Sequence, residues 1–259
     1  MAKIHPTSIV DSQAKLADSV EVGPFCRIGP HVKIGEGCKL LSHVVIEGWT
    51  TIGSHNTFFP FSVIGAVPQD LKYKGEPTEV TIGDHNVIRE CVTINLGTVQ
   101  GRSKTSVGSH NLIMASVHLG HDCDVHNHVI IANGTGLAGH VTIEDYGNIG
   151  GMVGVTQYIT VGKYVYVGGR STVDRDVPPF SIVVGERPCE LKGANIIGLR
   201  RHGFKADVIT AINESIKLWK RNDAPREQCL LEIETQFGDV PEVMQIVAFI
   251  RKSESGCVK

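Results

Sequence analysis

The sequence predicts a mainly β protein, a parallel β-helix of six-residue repeats that ends in a C-terminal α-helical segment. Three observations predict it. Large apolar residues recur every six positions over most of the chain. Glycine is abundant, at 29 of 259 residues, while aromatic residues make up only 6%. The periodicity then turns helical from about residue 204. A globular core normally leans on aromatic bulk, which thin repeated layers do not need.

Stepping by six from Ile4 gives Val10, Leu16, Val22, Ile28, Ile34, Leu40, Ile46, Ile52, Phe58 and Ile64. The register returns at Ile82, Ile88 and Ile94, and again from Val107 through Leu119, Leu137 and Val155 to Val173. This period fits neither an amphipathic helix nor an alternating strand. It fits a short strand plus a tight corner, three units closing a triangular coil of 18 residues. The apolar residue points inward, and the small or β-branched residue four positions on packs beside the corner. Glycines that directly follow the apolar position (Gly23, Gly29, Gly35, Gly53 and Gly65) are expected to supply the corner's backbone angles. Successive coils stack as parallel strands, each burying the face of the last. Such a chain resembles the hexapeptide solenoids, whose crossovers depart from the usual right-handed rule. The resemblance implies a left-handed parallel β-helix of hexapeptide repeats, expected over residues 1–185.

Two insertions break the register. One, near 66–79, reads AVPQDLKYKGEPTE, and the other, near 95–106, reads NLGTVQGRSKTS. Loops ejected from a regular scaffold are where function concentrates, and the first carries more weight here.

The pair Pro178-Pro179 is expected to stop the coil. Residues 186–259 then form a helical C-terminal domain of three short helices capping the open end of the solenoid. The first carries the stripe Val208, Ile212, Ile216 and Trp219. The second follows Pro225, which suits a first-turn position. The third is VPEVMQIVAFIRK. Between 200 and 221, Arg200, Arg201, Lys205, Lys217, Lys220 and Arg221 face only Asp207 and Glu214. Such a patch attracts acidic partners, or is simply a solvated helix face.

Lys and Arg number 25 against 27 Asp and Glu, so charge gives no case for nucleic acid. No stretch approaches the ~18 consecutive apolar residues of a membrane span, so no integral membrane segment is expected. The N-terminus MAKIHPTSIV has no apolar leader region, and a cytoplasmic location is expected. The seven cysteines form no CxxC pair and read as reduced thiols.

Several of the 12 histidines cluster in SVHLGHDCDVHNHV and LAGHV. His121 lies two residues after inward Leu119, and His140 three after inward Leu137. Those leucines are 18 residues apart, one full coil, so His121 and His140 are expected on adjacent coils at one level. A neutral imidazole is a natural general base, and Asp122 stands beside His121 to orient it. The rival reading is zinc. Histidines from adjacent coils bind zinc in γ-class carbonic anhydrases, which share the solenoid, and His118, His121 and His140 are the candidates.

With PQDLKYKGEPT, IGDHNVIRE, GTVQG, NLIMASVHLGHDC, LAGHV, RDVPPF and GLRRHGF in hand, nearly the whole chain resembles the UDP-N-acetylglucosamine 3-O-acyltransferases, which open lipid A synthesis. The resemblance implies transfer of a 3-hydroxyacyl group from acyl carrier protein to the sugar 3-hydroxyl. It implies His121 as general base, Asp122 as its support and the Gly139 N–H as oxyanion donor. It places Gln69, Asp70, Lys72, His118, His140 and Gln157 against sugar and phosphate, and Asn195 and Arg201 against the nucleotide. Gly169 matches the position that limits acyl length, and glycine there leaves room for a longer chain. The resemblance further implies a homotrimer with sites between subunits, no metal and no cofactor, and the basic patch as a dock for acidic acyl carrier protein. The chain departs from the family at Asn95, Thr156, Tyr158, Ile197 and His202, the last two replacing an acidic residue and an arginine. A related acyltransferase acting on a 3-amino sugar nucleotide is the alternative.

Overall fold

The computed structural model describes residues 1–221 and 223–259. Short strands, mostly two residues long, line three sheets of eleven, nine and eight strands. Each sheet is one face of a triangular prism. Lys3–Ile4 opens the first face, Ile9–Val10 the second and Lys15–Leu16 the third. Residues 18 apart pair in parallel register, as Ile4 does with Val22. The inward apolar positions form the core, with Phe58, Ile64, Ile94, Leu119 and Leu137 fully buried. Each such side chain contributes about 1.5–3 kcal/mol of transfer free energy. The register survives the first insertion, since Ile82 pairs with Ile52 below and Val107 above.

Glycine turns few of these corners, Gly37 and Gly134 among them. Among the described residues eighteen non-glycine residues hold left-handed backbone angles, φ 55–67°, nearly all three positions after an inward apolar residue. Of the five glycines expected there, only Gly65 has such an angle. The glycines after the apolar position answer instead to coil spacing: a Cβ on Gly23 would lie 1.9 Å from the Leu41 carbonyl oxygen. A left-handed residue with a Cβ costs on the order of 1–2 kcal/mol, and stacking offsets part of that. On the third-to-first corner His55, His85, His110, His128, Tyr146 and Tyr164 stack with ring centroids 4.6–5.0 Å apart. Each pair contributes about 0.5–1.5 kcal/mol. A third of the histidines therefore serve the scaffold.

Pro178-Pro179 does not stop the coil. Ser181–Val184 adds a further parallel strand beside Tyr166–Val167, and Glu190–Ala194 returns antiparallel. Both prolines sit at a corner, where the ladder needs no N–H. Among the described residues four helices follow rather than three: α1 (Ile196–Arg201), α2 (Ala206–Trp219), α3 (Arg226–Phe237) and α4 (Pro241–Lys252). The extra one, α1, is too short to show a helical period and is made by its cap, Asn195, whose side chain accepts from Gly198 N–H. Pro225 is the N-cap of α3, one position ahead of the first turn. The tail is tied to the last coil by Trp219 Nε1–H to the Val258 carbonyl (2.9 Å) and Ser253 Oγ–H to Asp176 (2.6 Å). The basic patch narrows, because Lys217 pairs with Glu214 at 2.7 Å and Arg221 with Asp223 at 3.0 Å and Glu232 at 2.7 Å. Arg200, Arg201, Lys205 and Lys220 have no ion pair among the described residues. Among the described residues no helix is long and apolar enough to cross a membrane.

Candidate active site

Both insertions leave the prism at the second-to-third corner, on consecutive coils. Val63–Ala66 and Glu79–Ile82 bracket the first, Thr93–Asn95 and Lys104–Val107 the second. The next coil carries His121 and Asp122 at that same corner, between His118–Leu119 and Asp124–Val125. One coil on stand Gly139 and His140, and one further Gln157 and Tyr158.

Asp122 is only 1% exposed, at a corner position with φ 61°. Its Oδ1 accepts from the N–H groups of Arg102 (2.8 Å) and Thr98 (3.1 Å). Its Oδ2 accepts from Thr98 Oγ1–H (2.6 Å) and meets His121 Nδ1 at 2.9 Å. Burial alone pushes this carboxyl up, but the donors from Thr98, His121 and Arg102 outweigh it and hold Asp122 below the usual carboxylate range. An ionised carboxylate only accepts. In the neutral imidazole the proton therefore sits on His121 Nδ1, which leaves the Nε2 lone pair free.

The His121 ring lies over Gly139. A Cβ at Gly139 would fall 2.5 Å from His121 Cε1 and 2.6 Å from Nε2, so only glycine admits the ring. Gly139 occupies the corner position held elsewhere by Pro6, Pro24 and Pro30, which the coil ladder does not use. Among the described residues nothing accepts the Gly139 N–H. A proton acceptor and a spare backbone donor thus lie side by side.

His140 meets His121 edge-on, centroids 5.0 Å apart at 88°, and stacks on Tyr158 at 4.4 Å and 7°. Burial holds His140 below its ordinary value, with the carboxylates of Asp122 and Asp70 pulling the other way. The first loop, which carries Asp70, leaves the prism at this same corner. There Asp70 Oδ1 accepts the Lys72 N–H at 2.9 Å, while Gln69 and Lys72 are exposed, as is Gln157 on its coil. His118 faces outward just before the corner, Nδ1 2.7 Å from Thr93 Oγ1, and burial followed by the charge of His121 holds it low.

Sequence reasoning missed Thr98 and Arg102 because it gave the second insertion less weight. The signal available was that both insertions interrupt the same corner. Among the described residues those able to share a metal are His121, Asp122 and His140, with ligand atoms within 4.8 Å, rather than the trio containing His118. A cation there would have to displace hydrogen bonds that already fill both Asp122 oxygens and His121 Nδ1. The donor set suits proton transfer better than metal binding.

The remaining expected residues lie elsewhere. Asn195 and Arg201 line a groove of about 420 Å³ at the third-to-first corner with His110, His128 and Tyr146. Both ends of the Asn195 amide are engaged, Nδ2 on the Tyr164 carbonyl (2.9 Å) and Oδ1 by Gly198 N–H (3.1 Å). Gly169 stands at the first-to-second corner, exposed, next to Gly151. One chain therefore spreads these residues over all three corners of the prism.

Residues 176–258 match the family model for UDP-N-acetylglucosamine O-acyltransferase domain 2, and 104–139 match bacterial transferase hexapeptide repeats. An acyl-[acyl-carrier-protein]–UDP-N-acetylglucosamine O-acyltransferase from Stutzerimonas stutzeri is 45% identical over 259 residues, all of both chains. The chain belongs to the UDP-N-acetylglucosamine O-acyltransferase family. The crystal structure of the family member LpxA from Acinetobacter baumannii superposes with a TM-score of 0.96 at 42% identity, covering 99% of each chain. That from Moraxella catarrhalis gives 0.95 at 42%, also over 99% of each. The expected fold, a left-handed β-helix with a helical C-terminal domain, is thus that of solved O-acyltransferases.

Against this O-acyltransferase background the departures acquire surroundings. His202 packs edge-on against Tyr146 (4.9 Å) and Tyr164 (5.1 Å), joining the aromatic ladder where an arginine would reach outward. Ile197 is 65% exposed on α1. Asn95 is 3% exposed, and its Oδ1 has no hydrogen-bond partner among the described residues. Thr93 and Ile94 pair with His118 and Leu119, which sets Asn95 directly below Gly120 at the His121 corner.

Proposed function

We propose that this chain moves a 3-hydroxyacyl group from acyl carrier protein to the 3-hydroxyl of UDP-N-acetylglucosamine, the step that opens lipid A synthesis, with His121 as general base. The observation that carries the chemistry is His121 Nε2 beside the unused Gly139 N–H, with Nδ1 anchored on Asp122. Nε2 takes the sugar hydroxyl proton as the oxygen attacks the thioester carbonyl carbon. The Gly139 N–H donates to the oxyanion that forms. Collapse expels the carrier thiolate, which takes the proton back from the imidazolium. Asp122 stabilises that cation and fixes the ring, and the step requires neither metal nor cofactor.

In this reading His118, His140, Gln69, Asp70, Lys72 and Gln157 line the sugar and phosphates, Asn195 and Arg201 hold the nucleotide, and Gly169 ends the acyl channel. Those groups occupy different corners of one prism, which supports a homotrimer whose sites combine corners of neighbouring subunits. The coils of 1–185 supply the walls, and 186–259 supplies the nucleotide end. Arg200, Lys205 and Lys220 dock acidic acyl carrier protein, acting mainly through on-rate. The reaction belongs in the cytoplasm, where the carrier is charged.

An acyl-transfer assay tests this, pairing 3-hydroxyacyl carrier proteins of graded length with UDP-N-acetylglucosamine and its 3-amino analogue. Turnover on the hydroxyl acceptor is expected, and transfer to the amine alone sinks the assignment. That second reading draws on the buried, unpartnered Asn95 carbonyl near the corner. Sedimentation tests the trimer: a monomer active at assay concentration overturns it.

A further inference from the structure

We propose that Gly97–Arg102 forms a carboxylate clamp and that Thr98 is a positioning residue for proton transfer, acting through Asp122 on His121. The proposal rests on the general-base reading of His121. Thr98 is fully buried, so no bulk water competes for its groups. It provides two of the loop's three donors to Asp122, including the shortest contact, Oγ1–H to Oδ2 at 2.6 Å. The loop holds itself in shape around that residue, because the Thr98 carbonyl accepts the N–H groups of Gly101 (3.0 Å) and Ser103 (2.9 Å).

Two glycines permit the approach. A Cβ at Gly97 would lie 2.1 Å from Lys104 N, and one at Gly101 would lie 2.5 Å from both Asp122 Cγ and His140 Cε1. From the opposite side the Asp122 N–H donates to Thr105 Oγ1 at 2.8 Å. Asp122 is thus pinned by the insertion on one side and by the strand that follows it on the other. Its Oδ2 cannot rotate away from His121 Nδ1 without breaking the Thr98 hydroxyl bond. The charge that stabilises the imidazolium is fixed before the proton moves, which is the preorganised arrangement catalysis rewards.

The competing account is that Thr98 only fills space, and Val and Ser variants separate the two. Thr98→Val keeps the shape and removes the hydroxyl, whereas Thr98→Ser keeps the hydroxyl and removes the methyl. A hydrogen bond to a charged group is worth enough that Thr98→Val should lower kcat by about 10- to 100-fold. KM for both substrates should stay within about twofold, since the lost bond is made to Asp122 and not to substrate. With one donor fewer, the Asp122 carboxylate holds the imidazolium more strongly, so the acid limb of the kcat/KM profile, set by the imidazole base, moves to higher pH. Thr98→Ser should restore both rate and limb. Near-native turnover of Thr98→Val, or equal damage in both variants with an unmoved acid limb, overturns the clamp. Should Thr98→Val fail to fold by melting and circular dichroism, Thr98→Ala against Thr98→Ser gives the same contrast. Rates are taken on whichever acceptor the wild-type protein turns over. An active His121→Ala sinks the general-base reading, whereas only the hydroxyl contrast decides the clamp.

Discussion

Replacing Gly139 by alanine perturbs the site by one methyl group at a known place. The new Cβ would stand 2.5 Å from His121 Cε1 and 2.6 Å from Nε2. Ordinary carbon contact begins near 3.5 Å, so the ring must recoil by about 1 Å, and a misplacement of that size costs roughly 100-fold in rate. The ring cannot simply tilt away, because Nδ1 is held on Asp122 at 2.9 Å. The backbone itself accepts alanine, since Gly139 is not among the residues with left-handed angles. Gly139→Ala should therefore lower kcat by about 100-fold and leave the melting temperature within about 3 °C. The control is Gly154→Ala, whose Cβ would meet nothing within 4 Å. Initial rates of acyl transfer at saturating substrates, beside thermal melts of both variants, decide the matter. Full activity in Gly139→Ala would show that the ring does not work from this position. An equally damaged Gly154→Ala would point to a general sensitivity of the coil.

Three other expectations are open to measurement. His121→Ala should lose about 10²–10⁴ in kcat with the fold intact, and near-native turnover removes it from the mechanism. His118 and His140 are held below their ordinary value near 6.5, so the unfolded chain binds protons first and stability falls as pH drops below about 6.5. His126, raised by Asp124, contributes the opposite slope, so the comparison is melting at pH 7.5 and 5.5 for wild type against the His118→Gln, His140→Gln pair. The pair should flatten the acid-side loss, and an unchanged slope contradicts the assignment. Thr78 Oγ1 is buried without a partner among the described residues, so Thr78→Val should raise stability by about 1 kcal/mol, read from urea midpoints. A lower midpoint would mean the hydroxyl is satisfied by water.

The coils were legible because a six-residue period imposes itself on every inward side chain, from Ile4 to Val173. It also sufficed to place His121 and His140 together, since stacking by 18 residues is arithmetic. The corner chemistry was not legible. Left-handed Phe25, His43 or Tyr146 carries no local signature, because the conformation is held by neighbouring coils rather than by the residue's own preference. Helix α1 was hidden because six residues are too few for a period and its cap is a side chain. Thr98 was hidden because its partner is 24 residues away across a loop of irregular length.

The shared exit of the two insertions has a consequence for how such a protein can change. A loop leaving at a corner interrupts no strand pairing, so its length enters the stability only through chain closure, about 0.6 kcal/mol per doubling. The coil above and below stays in step regardless, as Ile52, Ile82 and Val107 do. The second-to-third edge is therefore a port where the first insertion can be lengthened, shortened or exchanged while the imidazole two coils higher keeps its seat, so long as the Gly97–Arg102 clamp is retained. Selection for a new acceptor can rewrite that edge without renegotiating the core.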